Sequence, residues 1–230
     1  MNYLAIGLAL IIIIIIYYVY YYFTNNTLTA GLQPLNQTVS FTHDKLKNPS
    51  SYTYSYQLWL YLSSPVSNTT KIFYRGSSGS NAYSEFELDI TGTQLTLSAG
   101  SGTNGNPPVQ VMNITQNFPI QKWVYLVINV YNLQTVEAYI NGKLAKTVNI
   151  SNSNNIIPNS KTSSLYVGDY SLNGYTTRFI RLPSTLDAKT VWNNYLSGNG
   201  LTNFFTNLFP YGINMTISSG EDIQRNVKVF

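Results

Sequence analysis

Short segments in which apolar and polar residues alternate recur along most of this chain, and they constrain its fold more than any other feature. In Ser51–Leu62 the side chains of Thr53, Ser55 and Gln57 would share one face of a strand. The opposite face would carry Tyr52, Tyr54, Tyr56, Leu58, Leu60 and Leu62. Trp123–Tyr131 is almost continuously apolar, which is typical of a central strand covered on both faces.

Turn signals separate the strand-like segments. Asn141-Gly142 is the strongest short-range indication of a β-hairpin, and Thr91-Gly92-Thr93 indicates a second hairpin with three loop residues. Further strand patterns cover residues 71–75, 84–90, 94–98, 135–140, 143–150, 164–170 and 175–182. Many short strands with turns between them predict an all-β sandwich or barrel.

One short helix is predicted late in the chain. Ser184 and Asp187 have the spacing of a capping box, which would begin a helix at Ser184. An apolar stripe then follows at helical spacing, and Gly198 is suited to end the helix. The stripe consists of Val191, Trp192, Tyr195 and Leu196.

The composition excludes several classes of site. The formal net charge is +4, and the positive residues are scattered without a Lys/Arg run, so we expect no nucleic-acid partner. The absence of cysteine excludes disulfides, cysteine zinc sites and cysteine nucleophiles, and it fits a domain that matures on the reducing side of a membrane. His43 is the single histidine, which excludes a histidine-cluster metal site.

The segment Tyr3–Phe23 contains no charged residue and would span about 31 Å as a helix, close to the ~30 Å hydrocarbon core of a bilayer. We therefore expect a retained single-pass transmembrane helix; a cleaved signal peptide would have a basic start and a shorter apolar run. The residues that mark this anchor are Tyr3, Leu10, Ile11, Ile16, Tyr17, Tyr18, Tyr20, Tyr21, Tyr22 and Phe23. The tyrosines would lie at the membrane interface nearest the sandwich, where either a partner protein or local bilayer thinning would accommodate their crowded hydroxyls.

Three segments carry a resemblance to a known family. The first segment is residues 122–148, in which a tryptophan opens a strand and a Tyr-x-Asn-Gly-Lys turn follows. The others are residues 164–200 and the early strand at 54–64. Together they resemble laminin G-like, concanavalin A-like domains. The resemblance covers about Thr38–Gly200 and implies a jelly-roll sandwich of two antiparallel sheets.

Thr177 and Arg178 stand where many members of this family have an acidic pair, and Asp169 is the one obvious local calcium ligand. Because Ca²⁺ takes six to eight oxygen ligands, a calcium site is possible but we predict no metal and no cofactor, and Asp169 is expected to be a turn residue.

The resulting domain prediction has four parts: a transmembrane helix at 1–23, a linker at 24–37, the sandwich at 38–200 and a C-terminal extension at 201–230. Within the extension, Phe204, Phe205, Leu208 and Phe209 would share one helical face, followed by strands at 213–219 and 224–230. That face would either cover part of the sandwich or form a docking patch for a membrane or a partner.

One strand raises the question of catalysis. Glu85, Glu87 and Asp89 alternate and would share a face, and laminarinase-like glycoside hydrolases of the same fold place three acidic residues at this spacing. The order Glu-x-Glu-x-Asp differs from theirs, and no tryptophan-rich cleft accompanies it. We therefore expect the protein not to be an enzyme.

Two non-enzymatic functions are favoured, with a glycoside hydrolase as a distant third alternative. The layout resembles that of small membrane-anchored proteins of large DNA viruses, which implies a virion component linking an internal membrane to capsid proteins. Alternatively, the domain is a lectin-like attachment protein on a cell or virion surface, binding a glycan through the loops Ser77–Asn81, Gly100–Pro108 and Asp169–Asn173. The candidate ligand-binding residues are Asp169, Tyr170 and Tyr175.

The sequence also contains six glycosylation sequons, which matter only if the domain faces a glycosylating lumen. Their asparagines are Asn25, Asn36, Asn68, Asn113, Asn149 and Asn214.

Overall fold

The computed structural model describes residues 7–8, 10–17, 27–29, 31–76, 84–99, 109–150, 161–201, 214–219 and 222–228. The strands are β1 (Thr27–Thr29), β2 (Gln33–Pro34), β3 (Val39–Phe41), β4 (Tyr54–Leu62), β5 (Val66–Gly76), β6 (Ser84–Gly92), β7 (Gln94–Ala99), β8 (Val109–Thr115), β9 (Trp123–Tyr131), β10 (Thr135–Ile140), β11 (Lys143–Asn149), β12 (Ser164–Val167), β13 (Gly174–Leu182), β14 (Asn214–Ser219) and β15 (Asp222–Lys228). A 3₁₀ helix covers His43–Lys45, and the helix α1 covers Ala188–Leu196.

Two antiparallel sheets form the sandwich. Sheet A has the strand order β1-β13-β4-β9-β10-β11, with β2 also paired to β13, and sheet B has the order β3-β12-β5-β6-β7-β8. The core lies between them, and Leu58 and Leu60 of sheet A and Phe73 and Leu88 of sheet B are fully buried in it. The prediction of an all-β two-sheet sandwich with one short late helix is confirmed, and the arrangement is consistent with a jelly roll.

The alternation in β4 decides which residues enter the core. Tyr54, Tyr56, Leu58, Leu60 and Leu62 are 0–2% exposed, because successive side chains of a strand point to opposite faces. Tyr52, predicted on the same face, precedes the strand and is 66% exposed. β9 covers the predicted Trp123–Tyr131, and its apolar run is continuous because one face lies in the core and the other packs in the cluster under α1.

Both predicted hairpins are present. Asn141 and Gly142, with φ of 50° and 79°, join β10 to β11, as a type I′ turn requires. β6 continues through Gly92, so that Thr91 pairs with Gln94 and only two residues, rather than three, separate the paired positions.

The strand registers define two ends of the sandwich. At the Trp123 end, Gly174 pairs with Leu62, and Trp123 pairs with Tyr61 on the other side of β4. At the opposite end, Leu182 pairs with Ser55 and Val130 pairs with Tyr54. We call this second end the Val130 end.

The predicted linker at 24–37 contributes to the sandwich. β1 and β2 both pair with β13, and Leu35 is fully buried. The sequence of this segment did not indicate strands, because only two or three residues of β1 and of β2 pair with β13. The sandwich therefore begins before Thr38, where the sequence had placed its boundary.

The helix α1 starts later than the sequence predicted. Its N-cap is Asp187, not Ser184, and the Asp187 carboxylate accepts a hydrogen bond from the Thr190 backbone N–H at 3.0 Å. The Ser184 carbonyl is instead engaged by the Ser55 hydroxyl at 2.9 Å. The helix ends as predicted, because Gly198 follows it with a φ of +74°. The predicted stripe is only partly covered, with Val191 buried and Leu196 64% exposed.

Part of the N-terminal anchor prediction lies within the described residues. Residues 10–17 are helical, and their side chains, which include Leu10, Ile11, Ile16 and Tyr17, are 48–61% exposed. Over the parts of the chain that the structure describes, none of the helices has both the length and the apolar character needed to cross a membrane. Tyr3, Tyr18, Tyr20, Tyr21, Tyr22 and Phe23 lie outside the described residues.

The C-terminal extension contains the hairpin β14–β15, which forms a separate two-stranded sheet. The sequence had predicted both strands. The proposed docking patch of Phe204, Phe205, Leu208 and Phe209 lies outside the described residues.

Candidate functional site

Three aromatic side chains line up across neighbouring strands of sheet A. Tyr175 of β13 lies opposite Tyr61 of β4, and Tyr61 lies opposite Trp123 of β9. The ring centroids of Tyr175 and Tyr61 are 6.5 Å apart, and those of Tyr61 and Trp123 are 5.5 Å apart. We call these three residues the aromatic row.

The aromatic row lies on the outer face of sheet A. The neighbouring β4 residues Leu60 and Leu62 point into the core, so Tyr61 between them must point outward. Tyr175 is 40% exposed, and Tyr61 and Trp123 are half-buried. Pro34 of β2 pairs with Tyr175 and continues the row to the edge of the sheet.

Helix α1 covers the part of this face next to the aromatic row. Trp59 stacks on Tyr195 with a centroid distance of 5.8 Å and packs against Tyr125 at 5.2 Å. Val191 is fully buried in the same cluster. Trp123 packs against this cluster, whereas Tyr61 and Tyr175 are not part of it.

Buried polar groups hold α1 in place. The Tyr125 hydroxyl donates to Gln57 Oε1 at 2.6 Å, and the Asn194 amide donates to the same oxygen at 3.2 Å. Burial raises the pKa of Tyr125 to about 12, so its hydroxyl remains a donor at neutral pH. These hydrogen bonds fix α1 on sheet A, next to the aromatic row.

Gln121, two residues before Trp123 in the chain, has an exposed amide side chain. Gln33 of β2, in contrast, lies opposite the buried Thr176 and so points to the other face of sheet A. Gln33 donates to the carbonyl of the next residue at 3.3 Å, and Gln121 donates to the Ser63 carbonyl at 3.4 Å. Both hydrogen bonds are long, and a ligand hydroxyl can replace the one made by Gln121. Ring faces together with a neutral amide suit a ligand that has both C–H faces and hydroxyl groups.

The predicted ligand-binding residues lie at the same end of the sandwich. Asp169 accepts a hydrogen bond from the Ser171 backbone N–H at 2.8 Å and closes the turn between β12 and β13, as expected of a turn residue. Tyr170 is 85% exposed in that turn, and Tyr175 belongs to the aromatic row. Their role in binding stays a prediction.

The three predicted binding loops do not lie together. Ser77–Asn81 and Gly100–Pro108 are outside the described residues, but the strands that flank them end at the Val130 end, where Gly76 pairs with Ser84 and Ala99 pairs with Val109. Asp169–Asn173 connects strands at the Trp123 end. A single site formed by all three loops is therefore not compatible with the strand order.

The acidic residues of β6 share the outer face of sheet B and are almost completely buried. Glu85, Glu87 and Asp89 are 3%, 7% and 4% exposed. Lys71 Nζ lies 2.7 Å from Glu87 Oε2, and the Ser163 hydroxyl donates to Glu85. Side chains with so little exposure are poorly placed to touch a polysaccharide substrate.

The carboxyl group of Asp89 has a raised pKa. Burial, and then the negative charge of Glu87, raise the pKa of Asp89 to about 7, against the opposing effects of Lys71 and of the Ser98 hydroxyl, which donates at 3.3 Å. Within the described residues, no three acidic or histidine side chains converge to hold a metal ion.

Tyr61 and Trp123 were not identified as site residues from the sequence. The sequence did contain an indication, because an aromatic residue at an outward-facing position of an alternating strand is unusual unless another part of the protein covers it. Only the pairing of β13, β4 and β9 shows that three such residues form one row.

Comparisons with solved structures identify similar folds. Two point mutants of the protein HCR/D match with 13% and 15% identity and TM-scores of 0.53 and 0.56, over 72% and 75% of this chain and 41% and 43% of theirs. The binding domain of botulinum neurotoxin serotype D/C matches with 18% identity and a TM-score of 0.53, over 70% of this chain and 40% of that one. This chain thus matches about two fifths of the length of these structures.

A comparison with curated proteins found no match. Residues 34–200 match the laminin G family described as the concanavalin A-like lectin/glucanases superfamily, and this span begins at Pro34 of β2 and ends just after α1. The chain belongs to the concanavalin A-like lectin/glucanase superfamily through a laminin G-type domain.

Proposed function

We propose that this protein is a non-enzymatic attachment protein whose sandwich binds a glycan on the aromatic row and whose N-terminal segment anchors it in a lipid membrane. The observation that carries the proposal is the alignment of Tyr175, Tyr61 and Trp123 in one row at the protein surface. The C–H groups of a sugar ring pack against the electron-rich face of an aromatic ring, while its hydroxyls hydrogen-bond to amides. Gln121, which is exposed and lies two residues before Trp123, supplies such an amide.

The fold supports a binding role without establishing one. The similar structure from botulinum neurotoxin serotype D/C is itself a binding domain. Superfamily members include lectins as well as glucanases, and the burial of Glu85, Glu87 and Asp89 favours the non-catalytic alternative.

The exposed helix at residues 10–17 supports the membrane anchor. Six consecutive isoleucines, Ile11–Ile16, occupy every face of the helix, and each is about half exposed. Such a surface has no polar side to present to water, whereas a bilayer solvates it on all sides.

A virion component that links a membrane to capsid proteins is the second candidate. The short separation in sequence between the expected membrane span, which ends at Phe23, and β1, which begins at Thr27, favours a part held close to a membrane. Imaging of the protein in its native particle, with cross-linking to its neighbours, tests this candidate. Capsid proteins as the main cross-linked partners would favour it, and glycans on Asn113 or Asn149 would exclude the reducing-side location that it requires.

The glycan proposal is tested with a glycan array, probed with the full chain in lipid nanodiscs in the presence and absence of Ca²⁺. We expect binding that Tyr61→Ala and Trp123→Ala each weaken about tenfold, since one lost ring contact is worth about 1.4 kcal/mol. The matched control is Tyr52→Ala, which removes an exposed tyrosine outside the aromatic row. A blank array under both conditions, or equal losses in all three variants, would overturn the proposal.

A further inference from the structure

The N-terminal segment is joined to the sandwich at a defined place. β1 pairs with β13 so that Thr27 lies opposite Ile180, next to the Val130 end. The Thr29 hydroxyl accepts a hydrogen bond from the buried Phe179 N–H at 3.2 Å, and Thr29 is 8% exposed. The chain therefore enters the fold through a paired strand whose Thr29 is buried.

The distance from the anchor to this strand is short. Residues 24–26 are all that separate Phe23, the last residue of the expected span, from Thr27. A fully extended chain would cover about 14 Å between Phe23 and Thr27. If the anchor lies in a bilayer, the Val130 end must lie beside the membrane surface.

The aromatic row lies at the opposite end. Pro34 pairs with Tyr175, whereas Thr27 pairs with Ile180, so the chain runs along β13 away from the anchor. Five residues of strand correspond to about 17 Å. A ligand on the aromatic row would therefore meet the protein on the side that faces away from the membrane.

The segment 42–53 is fixed at the Val130 end. Phe41, which precedes it, pairs with Leu165 near the start of β12, and Tyr54, which follows it, pairs with Val130. The Arg181 guanidinium, only 2% exposed, donates to the Lys47 carbonyl at 2.8 Å and also reaches the carbonyls of the next two residues.

The exposed side chains of this segment suit an anionic lipid surface. His43, Lys45 and Lys47 are exposed, and Tyr52 is 66% exposed. Asp44 is the one acidic residue in the sequence of 42–53. Lysines are attracted to anionic headgroups, and tyrosine is favoured at the membrane interface because its ring is apolar and its hydroxyl is polar. We call His43, Lys45, Lys47 and Tyr52 the basic rim.

Three other connections at this end add no negative charge, whereas the connection from β13 to α1 carries the exposed Asp187, at the start of the helix. The sequences of 77–83, 100–108 and 151–160, which all join strands ending at the Val130 end, contain no charged residue. The positive charge of the basic rim is therefore not cancelled by acidic residues in these connections.

We infer that the basic rim rests on the anionic headgroups of the membrane that holds the anchor, so that the sandwich stands on its Val130 end and presents the aromatic row outward. This inference rests on the membrane anchor of the proposed function. It adds a second contact with the bilayer, made by the folded domain, and a fixed orientation of the ligand-binding face.

The test uses the absence of native cysteine, which makes single-cysteine labelling free of background. Tyr52→Cys places a fluorophore on the basic rim, and Tyr170→Cys places one on an exposed turn at the Trp123 end, where Tyr170 is 85% exposed. The full chain is reconstituted into phosphatidylcholine vesicles with or without about 30% phosphatidylserine. Lipids with a nitroxide on the headgroup then quench any fluorophore that lies at the membrane surface.

We expect strong quenching at position 52 in phosphatidylserine vesicles and little at position 170. Lys45→Gln combined with Lys47→Gln should lower the occupancy of the docked state about fivefold for each lysine, and the quenching at position 52 should fall with it. The matched control is Lys122→Gln with Lys143→Gln, two exposed lysines at the Trp123 end, which should leave the quenching unchanged. Thermal unfolding of every variant shows that the fold is retained.

Two outcomes separate this inference from the proposed function. If the wild-type chain is washed off the vesicles by alkaline carbonate, the anchor proposal itself fails. If the chain resists extraction but positions 52 and 170 are quenched equally, or position 170 more, the anchor stands and the inferred orientation is wrong.

Discussion

The rings of Tyr61 and Trp123 lie directly opposite each other on β4 and β9, with centroids 5.5 Å apart and planes inclined by 47°. Tyr175 approaches Tyr61 from the other side at 6.5 Å. Aromatic residues on the outer face of a sheet stabilise one another, which helps to hold these three rings in place although they are partly exposed.

This contact should be measurable as an energetic coupling. In a double-mutant cycle with Tyr61→Ala and Trp123→Ala, we expect a coupling energy of about 0.5–1.5 kcal/mol in the free energy of unfolding. Denaturant unfolding of the full chain in detergent measures it. The pair Tyr61→Ala and Tyr170→Ala is the control, because Tyr170 lies in a turn outside the sheet, and its coupling should be close to zero.

The buried carboxyl of Asp89 should make stability depend on pH. Because the folded state raises the pKa of Asp89 to about 7, the folded state binds more protons than the unfolded chain between about pH 4 and pH 7. The contribution of Asp89 to the free energy of unfolding therefore falls as the pH rises through this window and is constant above it. Asp89 Oδ1 also has no hydrogen-bond partner in the described part of the chain.

The substitution Asp89→Asn removes this ionisation. At pH 8 we expect the variant to be more stable than wild type by on the order of 2–4 kcal/mol, with a much smaller difference at pH 4. Urea unfolding at several pH values measures the difference. A difference that does not change with pH would contradict the raised pKa. Asp44→Asn, at an exposed position, is the control and should not show this gain at pH 8.

The hydroxyl of Thr29 should stabilise the junction between the anchor and the sandwich. Thr29→Val keeps the shape of the side chain but leaves the buried Phe179 N–H without its acceptor, at a cost of about 1–3 kcal/mol in the free energy of unfolding. Thr29→Ser retains the hydroxyl and should cost less. Chemical denaturation compares the two variants; equal losses would show that packing of the methyl group matters more than the hydrogen bond.

Glycines at three positions should differ in their tolerance of alanine. A Cβ at Gly174 would overlap the backbone oxygen of Tyr61, whereas a Cβ at Gly92 would meet nothing, although its φ is +62°. Gly142 combines a φ of +79° with Trp192 Cε3 only 2.6 Å from the Cβ position.

We therefore expect Gly92→Ala to cost about 1 kcal/mol and both other alanine variants to cost more. Gly174→Ala must separate β13 from β4, so it should also weaken ligand binding on the aromatic row. Thermal unfolding with the glycan array tests both effects. If the stability of Gly174→Ala matches that of Gly92→Ala, β13 and β4 are not as close as the structure places them.

Much of the fold was predictable because its signals are local. Alternation in Ser51–Leu62 identified the core face of β4, and the continuous run in Trp123–Tyr131 identified a central strand. Asn141-Gly142 identified its hairpin because these residues adopt positive φ at low cost. Gly198 marked the end of α1 for the same reason.

The start of α1 and the strands in the predicted linker were not predictable in this way. Ser184 and Asp187 are both residue types that favour the N-cap position. The helix begins after Asp187 because the Ser184 carbonyl accepts a hydrogen bond from Ser55, which is far away in sequence. β1 and β2 are too short to show a periodic pattern, and their pairing partner β13 lies more than a hundred residues later.

The sequence by itself determined the two-sheet sandwich, its late helix and the family, because periodicity and turn chemistry depend on neighbouring residues. Only the tertiary structure brought Tyr61, Trp123 and Tyr175 into one row, buried Glu85, Glu87 and Asp89, and set the aromatic row at the end opposite β1. The physical reason is strand register: pairing between distant segments decides which outward side chains meet, and alternation along a single strand contains no information about its partner.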